Sequence, residues 1–126
     1  MICHVAVYTT DLEKMKNFYE KYFNGQASKK YHNPKTHFES YFIYFDGNCA
    51  LEIMTRPEIQ DKAVGAKAGL DHLAFIVGDD SEVDEKAKLF LDDGFEVIGM
   101  PRRTGDGYYE AVILDPDGNK IELVAK

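Results

Sequence analysis

The sequence predicts an α+β fold built from two βαβββ modules in tandem, and three observations carry that prediction. The segment Ile2-Cys3-His4-Val5-Ala6-Val7 reappears as Leu70-Asp71-His72-Leu73-Ala74-Phe75, which matches His4 to His72. Each copy leads into a capped amphipathic helix that stops near a glycine, Gly25 in the first and Gly94 in the second. Each half closes on a Gly-Asn turn and a strand, Gly47-Asn48-Cys49-Ala50-Leu51-Glu52-Ile53 against Gly118-Asn119-Lys120-Ile121-Glu122-Leu123, which matches Glu52 to Glu122. Histidine, glycine and glutamate all recur at nearly one offset, and landmarks of different kinds that do so mark an internal repeat.

In chain order, the first strand is followed by Thr10-Asp11-Leu12-Glu13, a hydroxyl at the expected N-cap with a carboxylate three residues on. Leu12, Met15, Phe18, Tyr19 and Tyr22 then recur at helical spacing. A short strand is expected around Gln26 to Tyr31, and a longer one from Phe38 to Phe45, where aromatic residues concentrate. The stretch from Thr55 to Gly69, with Arg56-Pro57 and two glycines, reads as the link between module 1–54 and module 70–126 of one domain spanning 1–126. In the second module Ser81-Glu82-Val83-Asp84 is the expected cap, with Val83, Ala87, Phe90 and Leu91 as the buried stripe. Strands follow around Phe95 to Ile98 and from Tyr108 to Leu114, and Asp115-Pro116-Asp117-Gly118 turns the chain into the last one.

Composition narrows the functions open to such a fold. The 126 residues are 44% hydrophobic and 29% charged with 4 prolines, which suits one packed core and excludes a disordered chain. Fifteen basic against 22 acidic residues give a net charge of −7, with the basic ones scattered, so a nucleic acid or an anionic membrane surface is not an expected partner. The apolar run around Leu73 to Val77 is far below the roughly 18 residues of a membrane span, and Met1-Ile2-Cys3-His4 has no charged segment before an apolar one. A cytoplasmic protein is expected, with Cys3 and Cys49 as two buried thiols rather than a disulfide.

Strand parity separates core from site, because side chains alternate faces. Cys3, Val5 and Val7, Cys49, Leu51 and Ile53, Leu73, Phe75 and Val77, and Ile121 and Leu123 make a continuously apolar face that belongs under the helices. The other face carries His4, Glu52, His72 and Glu122 among Ala6, Ala50, Met54, Ala74 and Ile76. A lone strand histidine is ordinarily a hydrogen-bonded core residue, and a lone glutamate a solvated charge. Two imidazoles and two carboxylates at equivalent places are instead a ligand set for one divalent ion, which would offset the burial of both carboxylates. The absence of thiolate argues against structural zinc and suits Ni, Co, Mn, Fe or catalytic Zn.

At these residues the chain resembles the vicinal oxygen chelate superfamily of glyoxalase I, bleomycin-resistance proteins and extradiol dioxygenases. The likeness runs from Ile2-Cys3-His4-Val5-Ala6 through Leu51-Glu52-Ile53 and Asp71-His72-Leu73-Ala74-Phe75 to Asp115-Pro116-Asp117-Gly118-Asn119-Lys120-Ile121-Glu122-Leu123. It implies paired βαβββ modules forming a curved mixed sheet around a metal-binding cleft, with the ligand order His, Glu, His, Glu of small bacterial glyoxalase I falling on His4, Glu52, His72 and Glu122. Where those enzymes place an arginine and an asparagine for a thiol cosubstrate, this chain has Tyr8 and Arg56. The stretch from Pro101 to Tyr109 resembles glyoxalase-like proteins of unassigned activity, and is either an ordinary charged hairpin loop or a lid whose Arg102 and Arg103 bind an anionic substrate.

The activity so implied is a metal-dependent lyase or isomerase acting on a small substrate with vicinal oxygens. It would convert a hemithioacetal, possibly formed from a thiol, to a thioester by proton transfer through a metal-bound enediolate. Glu122 is the first candidate base and Glu52 its symmetric counterpart, while Tyr8 and Tyr109 are candidates for orienting substrate. The competing expectations are an iron-dependent extradiol dioxygenase and a non-catalytic binder of the bleomycin-resistance type. A homodimer is expected from the resemblance and from the sheet edges that each half leaves open. His32 and His37 are expected at the surface, outside the ligand set.

Overall fold

The computed structural model describes residues 1–62 and 65–126. They fall into two compact units, Met1–Lys62 and Ala63–Lys126, divided inside the expected connection 55–69, of which residues 63 and 64 lie outside the described residues. The first unit runs β1 (His4–Tyr8), α1 (Leu12–Phe23), β2 (Gln26–Ala27), β3 (Tyr31–His32), β4 (Glu39–Tyr44) and β5 (Ala50–Thr55). Its sheet has the order β1-β5-β4-β2, with β3 also on β4. The second unit runs β6 (His72–Gly78), α2 (Asp80–Asp92), β7 (Val97–Arg103), β8 (Tyr109–Leu114) and β9 (Lys120–Ala125), in the order β6-β9-β8-β7. In each unit the histidine strand pairs in parallel with the glutamate strand, β1 with β5 and β6 with β9, and the other pairings are antiparallel. A parallel pair needs a crossover, which the helix between its strands begins. The α+β class is therefore as the repeat predicts, in two mixed and unclosed sheets; the second unit has the βαβββ order, and the first departs from it because the short strand expected around Gln26 to Tyr31 is two strands, β2 and β3.

Each helix covers one face of its own sheet. Met15 and Tyr19 of α1 and Ile43 and Ile53 of the strands beneath are fully buried, as are Val83 and Phe90 of α2 above Ala111, Ile113, Ile121 and Leu123. Such side chains contribute about 1.5–3 kcal/mol each by leaving water. Val5, Val7, Leu73 and Phe75 share the helix-side parity but are only half-buried, because β1 and β6 lie at the edges of their sheets.

Several local expectations are corrected. Both helices are capped by aspartate rather than by the predicted hydroxyls: Asp11 accepts from Lys14 N, and Asp79 forms a reciprocal capping box with Glu82. Ser81 instead donates its hydroxyl to Asp79. At Gly78, with φ +138°, a Cβ would collide with the Glu82 carboxylate, which ties the end of β6 to this cap. Leu91 is exposed, and the stripe ends at Phe90, whose ring meets Phe95 edge-on beyond the cap. Cys3 and Cys49 are exposed free thiols, since both lie one residue outside their strands at the open end of the β1–β5 pair. Pro101, Arg102 and Arg103 belong to β7 rather than to a loop, leaving the turn to the residues between Thr104 and Tyr108. Among the described residues no helix is long and apolar enough to cross a membrane.

Candidate metal centre

Parallel register brings each histidine to its glutamate. Opposite His4 stands Ala50 and opposite Ala6 stands Glu52, so His4 and Glu52 are diagonal neighbours on the face turned away from α1. The second unit repeats this, with Lys120 opposite His72 and Glu122 opposite Ala74. The small Ala6 and Ala74 leave room beside the carboxylates. His4 Nε2 lies 3.7 Å from Glu52 Oε2, and His72 Nε2 lies 3.2 Å from Glu122 Oε2.

The surroundings of the two pairs differ. The His4 ring meets Phe42 edge-on at 5.3 Å, and Phe42 stacks on Tyr44. His72 and Glu122 line a cavity of about 450 Å³ with Glu110, Thr104, Asp106 and Tyr108 over an aliphatic floor. Burial holds the Glu122 carboxyl above the usual carboxylate range, with His72 opposing the rise and Glu110 adding to it. The other nitrogen of each imidazole meets the preceding residue: His4 Nδ1 lies 3.2 Å from Cys3 Sγ, and His72 Nδ1 lies 2.9 Å from Asp71 Oδ2. Hydrogen bonds from His72 and Lys120 keep the Asp71 carboxyl below its usual range.

Each unit thus supplies one imidazole nitrogen and one carboxylate oxygen, donors that suit a borderline divalent ion. Two ligands held about 2.1 Å from one ion stand roughly 3.0–3.4 Å apart for bond angles between octahedral and tetrahedral. The 3.2 Å of His72 and Glu122 falls in that range and the 3.7 Å of His4 and Glu52 lies just outside it. Among the described residues no group of three or more His, Cys, Asp or Glu side chains is gathered to hold a metal, so each pair by itself offers an ion two donors.

The remaining candidates separate by face. Arg56 lies over the Tyr8 ring at 5.1 Å from its centroid, at the end of the β1–β5 pair opposite Cys3. Arg102 stands opposite Glu110 in the β7–β8 register and is paired with it at 3.5 Å, on the Glu122 face. Arg103 and Tyr109 stand opposite each other on the α2 side instead. Arg103 bonds Asp80 and Tyr109 bonds Asp84, both of α2, so the sheet separates these two from His72 and Glu122. His32 is half-exposed beside Glu39 at 3.7 Å. Sequence reasoning missed Asp71, Lys120 and Glu110 as site residues. The signal for Lys120 was its parity with Glu122, for Glu110 its parity along the eighth strand, and for Asp71 its adjacency to His72.

An uncharacterized Bacillus subtilis protein, YqjT, is 28% identical over 127 residues, covering 97% of this chain and 96% of its own. The structure of a glyoxalase family protein from Enterococcus faecalis superimposes with a TM-score of 0.80 at 26% identity, over 98% of this chain and 96% of that one. Maize glyoxalase I also superimposes, with a TM-score of 0.80 at 22% identity, a likeness that shows the fold alone; this chain spans 44% of the maize chain. The two units that each run strand, helix and antiparallel strands, the paired His and Glu positions and a family-model match over residues 1–123 agree: the chain belongs to the Glyoxalase/Bleomycin resistance protein/Dioxygenase superfamily.

Proposed function

We propose that the protein is a divalent-metal-dependent lyase or isomerase of the glyoxalase I kind, acting on a small substrate with vicinal oxygens, of which a hemithioacetal is the leading example. The observation that carries this reading is the recurrence of one imidazole–carboxylate contact, His4–Glu52 and His72–Glu122, at equivalent register positions of the two units. His4, Glu52, His72 and Glu122 would hold the ion. When bound, a divalent ion supplies Lewis acidity toward paired substrate oxygens.

The chain's own residues do the rest. Glu122, which would have to bind the ion only weakly to act as base, takes the proton from the carbon beside the carbonyl and returns it to the former carbonyl carbon, while the hydroxyl proton passes to the former carbonyl oxygen. Its partly buried carboxyl, already raised above the usual range, is suited to holding that proton in between. Glu52 is the symmetric second choice. Glu110, Thr104 and Tyr108 offer polar contacts around the substrate, and Ala74, Ile76 and Val124 offer it an aliphatic floor. On this reading the protein is a homodimer, because β1 and β6 each lie at a sheet edge, and an edge needs cover.

The test is elemental analysis of the purified protein followed by assays of methylglyoxal with several thiols. One divalent transition metal per site, lost in the His4→Ala and His72→Ala variants together with thioester formation, is the expected result. Full activity without metal, or a metal content that both variants retain, overturns it. Ligand binding with neither metal nor turnover would make the protein a binder of the bleomycin-resistance type.

A further inference from the structure

The two imidazole–carboxylate pairs are not equally supported. Behind His4 stands the thiol of Cys3, an exposed and weak hydrogen-bonding group. Behind His72 stands the carboxylate of Asp71, whose second oxygen accepts from Lys120 Nζ at 2.9 Å. An ionised carboxylate can only accept, so the hydrogen in the 2.9 Å contact belongs to His72 Nδ1. Lys120 stands opposite His72 in the parallel register, which builds the brace into the strand pairing rather than into a loop. A carboxylate behind a metal-binding imidazole fixes the ring's hydrogen and orientation.

Building on the metal reading above, we propose that Asp71, braced by Lys120, is a positioning residue for His72. It fixes the Nδ1–H form, presents Nε2 as the ligand nitrogen 3.2 Å from Glu122, and makes this pair the more firmly oriented of the two. The His4–Glu52 pair, wider at 3.7 Å and backed by a thiol, has no such brace.

The experiment has two readouts. Nitrogen-15 spectra of the neutral histidine rings in metal-free protein should show His72 in the Nδ1–H form. Asp71→Ala should give a mixture of forms, and Asp71→Asn, whose carbonyl oxygen still accepts, should restore it. Zinc alone, titrated against a chelating dye, should bind about 10–100-fold more weakly to Asp71→Ala, with Asp71→Asn between that variant and wild type. Cys3→Ala should bind it like wild type. An unchanged His72 form in Asp71→Ala overturns the proposal, as does wild-type zinc affinity in that variant or a larger loss in Cys3→Ala. If wild-type protein binds no zinc while Asp71 still sets the His72 form, the metal reading falls and the orienting role of Asp71 stands.

Discussion

In the first unit the face that carries His4 is aromatic, with Phe42 and Tyr44 stacked beside it and Arg56 over Tyr8. In the second, the place of Phe42 is taken by Val112, that of Cys3 by Asp71, and carboxylates and hydroxyls surround the histidine. The loops before the last strands, 45–49 and 115–119, differ in the same way. Phe45 anchors the first by packing on Tyr19, whereas buried Asp115 anchors the second by accepting from Asp117 N, Asn119 N and Asn119 Nδ2. Apart from the extra short strand of the first unit, connectivity, the register of the parallel pair and the His–Glu contact are common to both, and the surroundings of the pair have diverged. Strand pairing fixes where a ligand stands; its neighbours decide how firmly it is held and at what charge.

The largest effect expected from this contrast is on turnover. Glu122→Gln should lower kcat by about 10²–10⁴-fold, the range for losing a positioned general base, and by more than Glu52→Gln does. Steady-state assays that rank the two in reverse would transfer the base to the first unit. Where the units are alike, in their cores, the effects should match. Ile53→Ala and Leu123→Ala are equivalent, fully buried truncations, and each should cost about 2–5 kcal/mol in denaturant unfolding. A large gap between them would show that the cores have diverged as well as the faces.

A smaller effect belongs to the polar loop. Asp115→Ala removes the acceptor of three hydrogen bonds and should cost about 1–3 kcal/mol. Burial raises the Asp115 carboxyl above its ordinary value, so the folded state binds that proton more tightly than the unfolded chain. Its contribution is full below the ordinary aspartate range and is lost as pH rises through the folded value. Wild type should therefore gain on Asp115→Asn as pH falls from neutral into the carboxylate range, which unfolding at several pH values measures. A difference that grows with rising pH would contradict the sign. The smallest effect should come from Arg103→Ala, which removes an exposed pair with Asp80 worth about 0.5 kcal/mol or less and leaves kcat/KM unchanged. Arg102→Ala, on the Glu122 face, should raise KM.

Much of this was legible in the sequence because period two and a single offset are strong signals. His4, Glu52, His72 and Glu122 are matched by the offset, and their faces sorted by strand parity alone. The caps were misplaced by one or two residues because Thr10 and Ser81 and their aspartate neighbours compete for the same orphan amides, and local spacing alone does not choose between them. Cys3 and Cys49 were misjudged because parity says which way a side chain points, not whether a helix reaches that far along the strand. Arg103 and Tyr109 stayed ambiguous because the β7–β8 register contains shifts that no pattern in the chain announces. Asp71 lay in plain view within the repeat, but its partnership with Lys120 spans 49 residues and exists only after the strands have paired.

That separation also bears on how such a protein matures. In each unit the donor pair is joined by a parallel strand contact that waits on a whole crossover, from His4 round to Glu52 in the first and from His72 round to Glu122 in the second. In a nascent or denatured chain the two donors of each pair lie most of a module apart, and loop closure over that distance weakens any chance chelate between them. A metal that recognises these pairs therefore recognises a finished sheet. On the proposed metal reading, loading would follow folding instead of guiding it, and the metal-free protein would be stable on its helices and hydrophobic layers alone.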